Sequence, residues 1–304
     1  MINSVCQARQ VAVAAIAIAA LVSACGSVAD DRPTMTAVLD TSGDADWREP
    51  DPRFLLYMSM PGGLIIIELA PDFAPNVIEN IRLLTRADFF SSAAITRSQE
   101  NYVAQWGDPN AGTDDATSYG EGAASVEAEF FRDAADLNFV EIDSRDAYAD
   151  QVGFVNGFPA GRDDERAWLT HCYGMLGVGR DMSPDSGNGA ELYVVTGHSP
   201  RHLDRNVVLI GRVLQGMELL TTLPRGTGPL GFYESKEEQA AIESLRFASD
   251  LPEDQRVGLE VLRTDTETFQ QLVEARRYRA EDWFVDPADN IELCNVPIPV
   301  RAAG

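Results

Sequence analysis

The residues with chemistry to offer lie close together in the chain. Arg97 is followed five positions on by an aromatic, Tyr102, and eight positions on by Gln105, and the run ends in Gly107-Asp108-Pro109. Side chains on an extended strand alternate between faces, which puts Tyr102 with Ala104 and Val103 with Gln105. A bend between Arg97 and Tyr102 is therefore needed to bring arginine, ring and amide to one place. Lys236 is the only lysine, so Schiff-base and lysine-base chemistries are nearly excluded. His198 and His202 stand four apart, a metal-binding spacing on a helix. The Ser199-Pro200-Arg201 between them reads as a loop, and no third ligand accompanies them. No metal and no cofactor is expected. Asp-rich stretches at 113–115 and 163–165 lack the even ligand spacing of a calcium loop and read as solvated loops.

The rest of the chain sets bounds. Its 304 residues can hold one large domain or two small ones around a full core. A formal charge of −24 argues against nucleic acid, whose binding needs clustered Lys and Arg, and against electrostatic attraction to anionic lipid. Residues 1–24 read as an export signal: Arg9 gives a weak positive start, Val11 to Leu21 an apolar stretch too short to span a bilayer comfortably, and Val22-Ser23-Ala24 the small residues before Cys25. Val22-Ser23-Ala24-Cys25 resembles the lipobox of bacterial lipoproteins, which implies cleavage before Cys25 and its acylation. An ordinary secretory signal cleaved nearby is the alternative. With Gly26 rather than aspartate after that cysteine, the resemblance implies a lipid anchor in the cell envelope facing the periplasm, in the outer membrane rather than the inner. Cys172 and Cys294 would then sit in an oxidising compartment, where they either pair or remain two buried thiols.

Several elements are expected to position the chemical residues. Residues 25–52 carry little apolar periodicity and read as a disordered tether. Order begins at Phe54 with a hairpin, Phe54–Met60 and Leu64–Leu69 about a Pro61-Gly62-Gly63 turn. Helical spacing follows over 76–86, with Val77, Ile81 and Leu84 on one side. The insertion at about 113–170 is Gly-, Asp- and Ser-rich with short apolar patches, and reads as loops. Strands are expected again at 173–179, 192–196, 207–213 and 242–247, with a short helix over 215–223. Many short strands, few helices and Gly-rich turns indicate a mainly β, closed or nearly closed barrel. Residues 251–304 read as an α/β extension packed on that barrel, with a charged helix over 264–279.

Four blocks in order resemble the cyclophilin family. They are Arg97 with Tyr102, Gln105 and Gly107-Asp108; Gly174-Met-Leu-Gly-Val-Gly-Arg180; Asn188-Gly-Ala-Glu-Leu-Tyr-Val194; and His202-Leu-Asp-Arg-Asn-Val-Val-Leu-Ile-Gly-Arg-Val213. The resemblance covers about 53–250, and it implies a closed eight-stranded barrel with two capping helices and peptidyl-prolyl cis–trans isomerase activity. It also implies roles: Arg97 donating to the prolyl nitrogen, and Gln105 holding both Arg97 and the substrate backbone. Tyr102, Val178, Tyr193 and Leu203 would line the proline pocket with His202 in its wall, and Gly179 and Arg180 would flank the residue before proline. Glu191 would place a carboxylate near Arg97, where direct pairing would divert the arginine from substrate. The implied partners are proline-containing segments of exported or outer-membrane proteins, met by a monomer. The departures are Tyr102 and Tyr193 for phenylalanines, Val178 for methionine, Glu191 for glutamine and His202 for tryptophan. They leave open a catalytically weak proline-peptide binding module or an envelope scaffold.

Overall fold

A computed structural model describes residues 32–135 and 137–304; the expected export signal over 1–24 and Cys25 lie outside the described residues. In chain order, a short helix α1 (Met35–Asp40) and strand β1 (Trp47–Arg48) precede the hairpin β2 (Leu55–Met60) and β3 (Gly63–Leu69). Helix α2 (Pro75–Arg86) leads into β4 (Ala94–Ser98) and β5 (Val103–Gly107). Five short strands come next: β6 (Arg132–Asp133), β7 (Phe139–Glu141), β8 (Gln151–Val155), β9 (Phe158–Arg162) and β10 (Arg166–Leu169). Then follow β11 (Met175–Val178), β12 (Leu192–Val195), β13 (Leu209–Gln215), the one-turn helix α3 (Met217–Thr221), β14 (Ala240–Ala241) and β15 (Ser244–Phe247). The chain finishes with β16 (Leu259–Leu262), helix α4 (Glu267–Tyr278) and β17 (Val300–Ala302).

Nine of these strands form one curled sheet in the order β14-β4-β5-β12-β11-β13-β3-β2-β15. Its two edge strands are consecutive in sequence. Ala240 and Ala241 pair with Ile95 and Ala94 on β4, while Ser244 to Phe247 pair with Ser59 to Leu56 on β2. Ile242 N–H donates to Ala93 and Glu243 N–H to Ser59, so the stretch hands over from one edge to the other between these two residues. Residues 240–247 thus act as one broken strand that bridges β4 and β2, and with it the barrel has eight strands. The interior is filled by Leu56, Met58, Ile65, Ile67, Trp106, Leu176, Ile210 and Phe247, all essentially without solvent contact. Helix α2 begins with Pro75, whose missing N–H costs nothing at that position, and it buries Val77, Ile78, Ile81 and Leu84 against the barrel.

The run Leu64-Ile65-Ile66-Ile67 does not alternate apolar with polar because both faces are covered. Ile65 and Ile67 point into the barrel, whereas Ile66 packs outside with Leu55, Tyr57, Ala248 and Leu259. The outer cover comes from the end of the chain. Strand β16 lies between β1 and β17 in a three-stranded sheet, with Trp47 opposite Leu262.

Two expectations are corrected here. The stretch 32–52 is built into the fold rather than left as a tether: Val38 and Trp47 are buried, and few as they are, they suffice because α4 and the inserted strands supply the opposing surface. The inserted region likewise is more than loops. Strands β6 to β10 make a five-stranded sheet in the order β6-β10-β9-β8-β7. Its tightest hairpin turns on Asn156-Gly157, both at positive φ (51° and 87°), the pairing that matches the twist of two-residue hairpins. Val152, Phe154 and Ala160 of this sheet pack on Phe269, Leu272 and Val273 of α4, with Phe154 and Phe269 edge to face at 5.3 Å. The extension therefore packs on the inserted sheet as well as on the barrel.

Two further contacts join these parts. Cys172 and Cys294 form a disulfide that links the connection between β10 and β11 to the turn before β17. Arg48 on β1 donates to Glu68 of the barrel at 2.5 and 3.1 Å and to the Asn156 carbonyl of the inserted hairpin at 2.8 Å.

Candidate functional site

The bend demanded by the sequence is a hairpin. Strands β4 and β5 are antiparallel, and Arg97 lies directly opposite Gln105. A register shift between Ile95 and Arg97, and Asn101 at φ 53°, complete the turn. The eight-residue separation thus places guanidinium and amide side by side as a cross-strand pair. Arg97 Nη1 donates to Gln105 Oε1 at 3.1 Å, its Nε donates to the Leu230 carbonyl at 2.7 Å, and its Nη2 donates to Gln99 Oε1. Gln105 Nε2 in turn donates to Glu191 Oε2 at 2.8 Å. The amide therefore stands between arginine and carboxylate, and no direct Arg97–Glu191 pair occurs among the described residues. Partial burial draws the Arg97 guanidinium below its ordinary pKa, with the neighbouring tyrosines acting in the opposite sense. The Glu191 carboxyl is pushed above its ordinary value, chiefly by loss of water around it and against the bond from Gln105.

These groups line a groove of about 960 Å³. On one side Tyr102, Val103, Tyr193 and Val207 pack together, with Leu203 beside them in the lining. Tyr193 stands opposite Gly177 on the neighbouring strand β11. A Cβ on Gly177 would lie 2.3 Å from Tyr193 Cζ, so the glycine is what lets the ring cross the sheet at this point. Phe89 and Tyr119 also line the groove, their rings tilted at 52° with centroids 5.5 Å apart, as do Asn188, Gly179 and Arg180. Asp108 accepts the N–H groups of Asn110 and Thr117, at 2.9 and 2.6 Å, and so fixes the loop on the groove's rim.

Of the residues anticipated for this site, Arg97, Tyr102, Gln105, Gly179, Arg180, Glu191, Tyr193 and Leu203 line the groove together. Two do not. Val178 is buried in the barrel core, because on β11 its side chain points inward with Leu176. His202 is exposed on the turn Arg201–Leu203 rather than in the groove wall, its neighbours Arg201 and Leu203 being the ones turned inward.

Other contributors carry no motif that marks them in the sequence. Leu230 and Phe232 come from the Gly-rich loop after α3, which runs along β4: Gly226 N–H donates to Ser98 and Tyr233 N–H to Thr96. Phe232 places its ring 5.4 Å from the Arg97 guanidinium carbon, about as far as Tyr102 at 5.5 Å. The repeated glycines at 226, 228 and 231 could have marked this loop as one that approaches another backbone closely. Among the described residues no group of three or more His, Cys, Asp or Glu could hold a metal ion.

Known proteins resemble this chain in sequence and in fold. The family model described as cyclophilin type peptidyl-prolyl cis-trans isomerase/CLD matches residues 55–245. A probable peptidyl-prolyl cis-trans isomerase of Brucella suis is 22% identical over 184 residues, which span 58% of this chain and 74% of that protein. Among solved structures, the cyclophilin AquaCyp293 from Hirschia baltica superposes with a TM-score of 0.67 at 26% identity, covering 90% of this chain and 99% of that one. The last likeness reaches well past residues 55–245 and so takes in added elements as well as the barrel.

Proposed function

Because this chain belongs to the cyclophilin-type peptidyl-prolyl cis–trans isomerase family, we propose that it turns X-Pro bonds of exported proteins and that Arg97 lowers the barrier. Isomerase activity is a property of the family; the residue roles and the clients are our reading. Rotation about a peptide bond opposes amide resonance and faces about 18–20 kcal/mol, so unaided prolyl isomerisation takes tens to hundreds of seconds. No bond breaks, and neither nucleophile nor metal is called for. As the bond twists, the prolyl nitrogen recovers its lone pair and becomes an acceptor. A donor fixed at that position binds the twisted state better than either planar isomer, which is catalysis by differential binding.

The observation that carries this reading is the Arg97–Gln105–Glu191 line beside the Tyr102–Tyr193 wall. A guanidinium has five N–H donors. Leu230, Gln105 and Gln99 engage one on each nitrogen, which leaves one donor on each terminal nitrogen for substrate. The proline ring would sit against Tyr102, Tyr193, Leu203 and Val207. The preceding residue would lie toward Gly179 and Arg180. A protease-coupled assay on a proline-containing peptide tests the assignment: Arg97→Ala should lower kcat/KM by about 10²-fold, the scale of losing one preorganised donor. Equal rates for variant and wild type would remove Arg97 from the mechanism.

The export signal and Cys25 support a lipid-anchored enzyme facing the periplasm, on the outer membrane, acting on exported or outer-membrane proteins as they fold. In a bacterial host, incorporation of labelled palmitate that disappears in Cys25→Ala is the expected result. Labelling that persists in the variant would reject the anchor. A proline-peptide binding module with slow turnover is the second reading, favoured by the three partners that already hold Arg97. Peptide binding without cis–trans exchange in NMR line shapes would select it.

A further inference from the structure

Behind the groove runs a buried polar chain that the isomerase chemistry does not require. Tyr193 shows its ring to the groove, but its hydroxyl lies 2.8 Å from His171 Nε2, at a histidine with no solvent exposure. The two rings lie nearly parallel, with centroids 6.2 Å apart. His171 Nδ1 stands 2.8 Å from Asp204 Oδ1, which also accepts the His171 backbone N–H at 2.9 Å. Asp204 Oδ2 accepts from Arg201 Nε at 2.6 Å, and Arg201 donates through both terminal nitrogens to Asp146, at 2.6 and 2.9 Å. Asp146 finally accepts the N–H groups of Tyr148 and Ala149 and so ties the chain to the loop between β7 and β8.

The chemistry fixes the direction of these bonds. A carboxylate flanked by arginine only accepts, so Nδ1 carries the imidazole proton and Nε2 is the acceptor. The Tyr193 O–H therefore donates away from the groove and into His171. Burial, which holds His171 below its ordinary pKa, favours the same neutral form.

We propose that His171 is a positioning residue for the proline pocket: it holds the Tyr193 hydroxyl out of the groove, and Asp204, Arg201 and Asp146 brace it against the inserted region. The proposal rests on the reading of Tyr193 as pocket wall. Without His171 the hydroxyl loses its acceptor in a place water does not reach, a costly state that is relieved by turning the ring toward the groove. The pocket for the prolyl ring then shrinks and becomes polar, while the Arg97–Gln105 pair is untouched. Ground-state binding suffers more than the chemical step.

The test is a double-mutant cycle in the prolyl-peptide assay on purified protein, with folding checked by near-ultraviolet circular dichroism. His171→Phe keeps the stacked ring and removes the acceptor, and it should raise KM by about tenfold with kcat changed far less. Adding Tyr193→Phe removes the stranded hydroxyl and should return KM to near the wild-type value, because replacing both partners by apolar groups is close to neutral. A purely structural histidine would lower the melting temperature without this split and without the rescue. Unchanged KM in folded His171→Phe, or no rescue in the double variant, overturns the proposal. If His171→Phe does not fold, Asp146→Asn at the far end of the chain takes its place. It should raise KM by a few-fold, and an unchanged KM overturns the proposal equally. Arg97→Ala run in parallel separates the two claims: lost turnover there with an indifferent His171 leaves the active site standing and removes only this inference.

Discussion

At the residue scale the clearest case is a spacing. Arg97 and Gln105 are eight apart because a hairpin with a four-residue turn pairs them across β4 and β5, so their separation was readable as one site once a bend was assumed. Glu191 shows the limit of such reading. Its nearness to Arg97 was foreseeable, but only the fold decides that Gln105 takes its carboxylate and keeps it off the guanidinium. A pH prediction follows from that arrangement. Folding raises the Glu191 pKa above 4.5 by burial, so the protonated form is favoured in the folded state. The resulting stabilisation is present at and below the ordinary carboxylate range and is lost as pH rises through the raised value. Glu191→Gln should therefore raise the melting temperature near pH 7 and leave it unchanged near roughly pH 4. Burial acts on the carboxyl, whereas the residue as a whole is exposed, so the gain should be small. Equal shifts at both pH values in scanning calorimetry would reject this account.

At the scale of elements, a strand position works through what it lacks. Gly177 on β11 has no Cβ where the Tyr193 ring of β12 crosses, and an added methyl would sit 2.4 Å from the tyrosine oxygen. Gly177→Ala must push the ring aside, with an overpacking cost of about 1–3 kcal/mol. It should also weaken peptide binding, measurable as a raised KM; a variant with wild-type KM would show that the ring has room elsewhere. The element least readable in advance was the opening one. Helix α1 and strand β1 carry almost no periodicity, yet Trp47 on β1 is 9% exposed because β16, contributed from the far end of the chain, pairs beside it. Trp47→Ala should cost about 3–5 kcal/mol, as for other buried aromatics truncated to alanine, visible as a lower urea midpoint. A loss below about 1 kcal/mol would mean that the opening segment is only loosely attached.

At the scale of the whole molecule, three stretches far apart in sequence combine outside the barrel: residues 35–48, the inserted strands and the C-terminal extension share one apolar cluster around Phe154, Phe269 and Trp47. The Cys172–Cys294 bond closes a loop with a sequence separation of 122 residues across this assembly. A cross-link of that span restricts the unfolded chain by up to about 4–5 kcal/mol in the loop-entropy picture. Cys294→Ser should lower stability by a substantial part of that amount in urea titrations, and reductant should destabilise wild type while leaving the variant unmoved. Wild type unaffected by full reduction would assign the bond no stabilising role. Because Cys172 follows His171 directly, the same variant also reports whether this cross-link influences the tyrosine wall of the groove.

By itself the sequence determined the barrel and most of the groove. Both rest on local patterns: apolar strand runs, turn residues, and four motif blocks whose order survives a long interruption. Only the tertiary structure decided that the inserted residues form a sheet, that the opening segment is built into the fold through β16 and α4, and that Val178 and His202 stay out of the groove. It also decided that Tyr193 is answered from behind by His171 and Asp204. Those outcomes depend on partners tens to hundreds of residues away, such as β16 for Trp47, α4 for Phe154 and Asp204 for His171. Burial and hydrogen-bond satisfaction are set by what arrives on the other side, and a local pattern carries no record of it.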